Sequence, residues 1–163
     1  MRYPAVSIAN YFIDKANVED NPLDHLRLQK LVYNAHGWHL AEKGTPLIEE
    51  PVEAWKYGPV IRSLFKEFKK YGNGFITENA GTVSRAGVSV PNVQYGDEET
   101  RELLDRVWKL YEPFSGVELS RLTHAPGTPW LKTWNLSGGK GNAKISDRDI
   151  EAHFRKLHSR IAS

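Results

Sequence analysis

The sequence predicts a mostly α, compact multi-helix single domain over residues 1–163, with a short irregular or β-hairpin insertion around residues 73–96. Three observations lead there. Apolar residues recur at helical spacing in several separate stretches, each flanked by capping residues or by Gly and Pro stops. Residues 73–96 break that pattern, being rich in Gly, Asn, Ser, Thr and Val. The 163 residues are 40% hydrophobic and 26% charged, with no internal repeat, which suits one folded domain and argues against disorder.

Taken in order, Ser7 is placed to cap a first helix running towards Ala16, with Ile8, Phe12 and Ile13 inward. Residues 17–22 read as a turn, and Pro22 followed by Asp24 marks the next helix start. Leu28, Leu31, Val32, Ala35 and His39 then fall at i, i+3, i+4, i+7 and i+11, the strongest helical signal in the chain, and Gly44 stops it. Residues 45–53, with two prolines, read as an extended connection from which Val52, Ala54 and Trp55 pass over the core. Gly58-Pro59 is expected to open a further helix, since proline is tolerated in a first turn, with Ile61, Leu64, Phe65 and Phe68 as its stripe and Tyr71-Gly72 as its end. Within the insertion, Phe75-Ile76-Thr77 and Val88-Ser89-Val90 are expected to form a pair of short strands. Helix resumes near Asp97, burying Leu103, Leu104, Val107, Trp108 and Tyr111. Ser115 and Glu118 make a capping box ahead of Leu119 and Leu122. Thr128-Pro129-Trp130 opens a short helix, and a glycine-rich loop at 137–142 leads to a last helix capped by Ser146, with Ile150, Phe154, Leu157 and Ile161 inward.

Several function classes are disfavoured by what is missing. Lys plus Arg is 22 and Asp plus Glu is 20, so the formal charge is only +2, which argues against nucleic acid as a partner. With no cysteine there is no disulfide framework, thiolate zinc site or Cys nucleophile, and a reducing, cytoplasmic location is expected. No apolar run approaches the ~20 residues that span a bilayer, so no membrane role is expected. His36 and His39, at i, i+3, with His124 as a third ligand, invite a metal reading, but a catalytic zinc site also needs an open position and a nearby base, and no His-Glu-x-x-His occurs. Histidines with ordinary hydrogen bonds are the alternative, and no metal or other cofactor is expected. No Gly-x-Ser-x-Gly is present. Gly138-Gly139-Lys140 is no phosphate loop, because Trp134 stands where the first glycine belongs and Gly141 follows the lysine. No complete catalytic constellation remains, and no enzyme is expected.

Two features stay open. Arg62, Lys66, Lys69 and Lys70, at i, i+4, i+7 and i+8, would give the third helix a positive face, either solvated or turned to an acidic protein partner or a nucleic acid. Residues 53–60, Glu-Ala-Trp-Lys-Tyr-Gly-Pro-Val, follow neither a helical nor a strand period; Trp55 there reads as core or as an interface anchor.

Three blocks then carry a resemblance: residues 26–38, with Gln29, Lys30, Tyr33, His36 and Trp38; residues 53–60; and residues 119–130, with Leu122, Thr123, His124, Gly127, Pro129 and Trp130. In this order they resemble the Panacea domain, the SocA-like family also known as phage-associated protein GepA, over about residues 5–160. The resemblance implies a predominantly helical fold and an antitoxin of a bacterial or prophage toxin–antitoxin system. Its partner would be a cognate toxin encoded by an adjacent gene, neutralised by direct protein–protein binding. It also implies an alternative, a proteolytic adaptor that delivers the toxin to a ClpXP-type protease. A metal-dependent enzyme and a DNA-binding autoregulator rank below both. The partner-binding candidates are Trp38, Trp55, Lys56, Tyr57, His124 and Trp130, followed by Arg62, Lys66, Lys69 and Lys70. Whether the block residues touch a partner or build the shared scaffold is left open.

Overall fold

The computed structural model, which describes residues 2–162, is built around one helix, α2 (His25–Lys43). Asp24 caps it by accepting the Arg27 amide at 2.7 Å, and Gly44 ends it in the left-handed region at φ 73°. Every residue from Arg27 to Leu40 is buried, whereas the periodicity picks out a single inward stripe. A helix buried on all sides is a core helix, and its neighbours here are α1 (Ala5–Glu19), α3 (Arg62–Phe68), α4 (Glu98–Tyr111), α5 (Gly116–His124) and α7 (Asp147–Ala162). With α6 (Pro129–Leu136), seven helices are present among the described residues, and the fold is mostly α.

Polar residues on a helix so placed must find partners, because a buried donor left unmade costs more than a made bond returns. Most do so by fastening a peripheral segment, while Asn34 donates back to the Lys30 carbonyl within α2 and the Arg27 Nε stays unpaired among the described residues. Arg27 donates to Asn21 Oδ1 (2.8 Å) and to the Glu112 carbonyl (2.7 Å), joining the end of α4 to the turn after α1. His36 takes the Leu47 amide on Nδ1 and so donates from Nε2 to Asp147 (2.8 Å), fixing the first turn of α7. His39 bonds the Thr45 carbonyl at 2.6 Å. Gln29 and Lys30 reach the opposite side, towards strands β2 (Val52–Trp55) and β3 (Gly58–Val60).

Sheet structure is small and antiparallel. β1 (Leu23–Asp24) pairs with β4 (Phe75–Ile76); β5 (Thr82–Ser84) pairs with β6 (Gly87–Ser89); β2 lies between β3 and β7 (Ala143–Ile145). Four expectations are corrected here. Gly58-Pro59 opens no helix: the residue before a proline is disfavoured in the helical region, and a proline without an N–H is tolerated on an edge strand, which β3 is. The helix starts instead at Arg62, where the Ile61 carbonyl accepts the amides of Leu64 and Phe65. The strand at 75–76 pairs not with 88–90 but with β1, because Leu23 and Ile76 are both buried and join the core across that ladder. The hairpin within the insertion is β5–β6, turned at Gly87 (φ 115°) and exposed. Ser7 lies inside α1, buried; the N-cap is Pro4, and the free Ala5 amide is taken by Glu50 Oε1 at 2.8 Å. On α5 and α7, Leu122 and Ile161 stay exposed at the ends of otherwise buried lines.

The insertion is closed at its base by one side chain of α1. Asn10 is fully buried; its Nδ2 donates to the carbonyls of Ala80 (2.9 Å) and Pro91 (2.8 Å), and its Oδ1 accepts the Ala80 amide (2.8 Å). Asn10→Ala orphans all three groups and is expected to lower stability by about 3 kcal/mol. Limited proteolysis should then cut first within residues 80–91, at lower denaturant than in the parent; cleavage elsewhere would refute the closing role.

Candidate functional site

β2 and β3 form a hairpin whose register pairs Trp55 with Gly58 across the two residues Lys56 and Tyr57. Tight hairpins need a positive φ, and here it falls on Gly58, at 114°. That glycine is required twice over. A Cβ on it would lie 2.9 Å from both Lys30 Cε and Thr123 Oγ1, so no side chain fits between the hairpin and the helices beneath it.

The hairpin's carbonyls are held one after another by side chains from three helices. Trp130 Nε1 donates to the Trp55 carbonyl at 2.7 Å. His124 Nε2 faces the Lys56 carbonyl at 3.2 Å, while its Nδ1 faces the Ser120 carbonyl at 2.5 Å; a neutral ring can donate to only one of them. Ser120 Oγ donates to the Tyr57 carbonyl at 2.8 Å, and Lys30 Nζ to that of Pro59 at 3.0 Å. Gln29 completes the set: its Nε2 donates to the Ile61 carbonyl (3.1 Å), and its Oε1 accepts the Ile61 amide (2.9 Å). Lys30 is fully buried and, among the described residues, in no ion pair; burial pushes its amine down to about 7.

With the backbone so engaged, the side chains at the tip are what the hairpin offers outward. Tyr57 is 66% exposed and lies under the Lys56 ammonium, 5.5 Å from its ring centroid. Trp55 is half-buried, packed on Phe65 (centroids 4.9 Å apart), and its Nε1 donates to Glu53. Glu53 is buried and bound by Arg62 through both oxygens (2.8 and 3.1 Å), which holds its carboxyl below the usual range. Phe65 stacks on His25, whose imidazole is pushed to lower pKa by burial and by Lys30. Between these groups lies a cavity of about 690 Å³.

The model of the SocA-like antitoxin family, Panacea domain, matches residues 28–131. Antitoxin SocA of Caulobacter vibrioides (strain NA1000 / CB15N) is 35% identical over 155 residues, covering 93% of this chain and 82% of that protein. This chain belongs to the SocA-like Panacea family. No solved structure matches it. The matched Panacea stretch begins one residue before Gln29 and ends one residue after Trp130, so it takes in every side chain that fastens the hairpin and leaves α1 and all of α7 outside.

Of the residues singled out from the sequence of this Panacea domain, Trp55, Lys56, Tyr57, Arg62, His124 and Trp130 come together at the hairpin. Within that group the roles divide. Lys56 and Tyr57 project; Trp130, buried against His124 (4.0 Å) and Trp134 (5.3 Å), and His124 are supports. Trp38 is not brought here: it is buried further along α2, donating to Tyr111 Oη at 3.0 Å. The expected basic helix face is shorter than its spacing implied, since α3 ends at Phe68, a 3₁₀ turn carries Lys69 and Lys70, and Arg62 folds onto Glu53. His36, His39 and His124 diverge to separate carbonyl and carboxylate partners, and among the described residues no cluster of three metal-ligating side chains occurs. Gln29, Lys30, Ser120 and Phe65 were not marked as site residues. The available signal was a Gln-Lys pair inside a stretch otherwise read as apolar helix.

Proposed function

We propose that this chain is a non-enzymatic antitoxin that neutralises a cognate toxin, encoded beside it, by direct protein–protein binding, with the tip of the β2–β3 hairpin as its contact surface. The observation that supports this most is the division of labour at residues 55–61. Four side chains from α2, α5 and α6 donate to the backbone, and an exposed Tyr with a Lys above it is left facing outward. Rigid aromatic residues of this kind anchor interfaces, because they bury a large area with few rotamers to freeze. The family membership and the likeness to Antitoxin SocA supply the class of partner.

Co-expression with the neighbouring toxin gene tests the function. The parent chain is expected to restore growth, and the Lys56→Ala/Tyr57→Ala double variant, equally soluble, to bind the toxin at least tenfold more weakly and to lose protection. Growth arrest despite soluble parent protein would overturn direct neutralisation.

The adaptor reading has one feature in its favour, a second apolar surface. Trp38, Leu103, Val107, Leu110 and Ile161 line a cavity of about 320 Å³ where α2, α4 and α7 meet, away from the hairpin, and an adaptor needs two surfaces. It predicts that toxin half-life shortens only in cells that contain the protease.

A further inference from the structure

The hairpin tip stands between two cavities. The larger, about 690 Å³, lies on the Trp55 and Phe65 side; the other, about 530 Å³, lies on the α5 side. Leu26, Tyr57 and Val117 line both, so the two are lobes of one groove with Tyr57 as the ridge between them. The walls are mainly apolar, and Tyr57 and Val117 are more than half exposed. The charged and titratable groups of the lining are His25, Lys30 and Lys56 in the first lobe and Arg121 and His124 in the second, with no carboxylate in either. Three other surface cavities of this chain each include one: Asp149 in one, Glu42 in another, Asp14 and Glu19 in a third.

The carboxylates beside the groove are already engaged. Asp24 caps α2, Glu53 is bound by Arg62, and Glu118 closes the capping box of α5 with Ser115. Among the described residues Lys56 and Arg121 are in no ion pair. The groove thus combines apolar walls with an exposed cation in each lobe, Lys56 and Arg121, neither of them in an ion pair, Arg121 lying near enough to Glu118 to lower that carboxyl's pKa. Complementarity of potential then selects the partner: an apolar segment without acids leaves the cations unanswered, and a basic one is repelled.

We infer that the β2–β3 groove receives an acidic, apolar segment of a partner protein, which lays one bulky apolar side chain in each lobe across Tyr57 and sets Asp or Glu against Lys56 and Arg121. This rests on the hairpin tip being the partner surface and names the chemistry that the surface selects.

A random dodecapeptide library displayed on phage and selected against the full-length chain tests the assignment without any toxin. The expected result is enrichment of sequences with two bulky apolar residues and a net negative charge. Their synthetic forms should bind at least tenfold more weakly to Lys56→Glu, to Arg121→Glu and to Tyr57→Ala, and more weakly at about 0.5 M salt. All three side chains are exposed, and unchanged thermal melts show that each variant folds. Failure to enrich any sequence, enrichment of neutral or basic ones, or binding unaffected by the two charge reversals would overturn it. So would a chain that dimerises in solution and becomes monomeric on Tyr57→Glu, since a second copy would then cover the groove. Acidic peptides that depend on Lys56 and Tyr57 support the assignment even if co-expression fails to rescue growth. Rescue lost in the hairpin variants without an acidic preference would leave the antitoxin reading standing and remove this one.

Discussion

Gly37→Ala is expected to lower the stability of the domain by about 3 kcal/mol, although alanine is the better helix former by about 1 kcal/mol. Gly37 sits mid-way along α2, where no turn or positive φ calls for glycine. The reason is contact: a Cβ there would lie 2.2–2.6 Å from three ring carbons of Phe154. That ring has nowhere to retreat. It is buried and met by Tyr33 (5.8 Å between centroids), Trp38 (5.5 Å) and His153 (5.2 Å), all at steep interplanar angles. Either α7 moves off α2 or the ring leaves its site, and both open a gap in close-packed surroundings. At this chain length the loss corresponds to a fall in melting temperature of roughly 6–12 °C. A double-mutant cycle with Phe154→Leu, which shortens the ring, should recover part of it, giving a coupling of about 1 kcal/mol or more. A higher melting temperature in Gly37→Ala would show that helix propensity wins and that the close approach is unimportant.

Glycine at this position was legible only as an interruption between His36 and Trp38, and the reason shows which parts of a fold periodicity can reach. Helix ends were readable because their chemistry is local: Asp24, Asp97, Ser115 and Thr128 each cap the helix that follows, through an amide within three residues. Ser7 failed as a cap because the Ala5 amide is served by Glu50, forty-five residues away, which no local pattern records. Gly58-Pro59 failed because the pair is permitted both at a helix start and on an edge strand. The choice was made by β2, which already pairs with β7 and leaves β3 the edge. Strand β4 was placed nearly correctly and given the wrong partner, since two-residue ladders are decided by burial of Leu23 against Ile76 and not by β propensity.

At the site the same boundary appears at the level of single side chains. Trp55, Lys56 and Tyr57 stood out because two aromatics around a lysine before Gly-Pro fit no period, and the hairpin tip is where periodic structure stops. Gln29 and Lys30 did not stand out, because surface helices carry such residues commonly; they became informative only when α2 proved to be buried on every side. Residue type alone points Trp38 and Trp130 to an interface. Their indole N–H groups are directed inward, to Tyr111 and to the Trp55 carbonyl, and buried Trp normally finds such a partner.

The stability of the domain is expected to rise by about 2 kcal/mol between pH 7 and 9, and Lys30→Met is expected to abolish the rise. Lys30 sits inside with one acceptor, the Pro59 carbonyl, and burial pushes its amine down to about 7. In the unfolded chain the same amine titrates near ~10.4. Between the two values the unfolded chain holds a proton that the folded chain has released, so stability increases with pH, at up to ~1.4 kcal/mol per pH unit. Below pH 7 the ammonium is carried into the core and its full desolvation opposes folding. The other perturbed groups act outside this window. His25, His39 and His153, all lowered by burial, add stability as pH rises towards 6.5 and nothing beyond it. Tyr3, raised to about 12, removes stability only above pH 10, where the unfolded phenol ionises first. Methionine is unbranched and only one atom shorter than lysine, without its charge, so Lys30→Met should also melt higher than the parent at pH 6, even though the Pro59 carbonyl loses its donor. Thermal melts of parent and variant from pH 6 to 9 decide it. A flat parent profile, or the same slope in both, would mean that Lys30 stays charged in the fold.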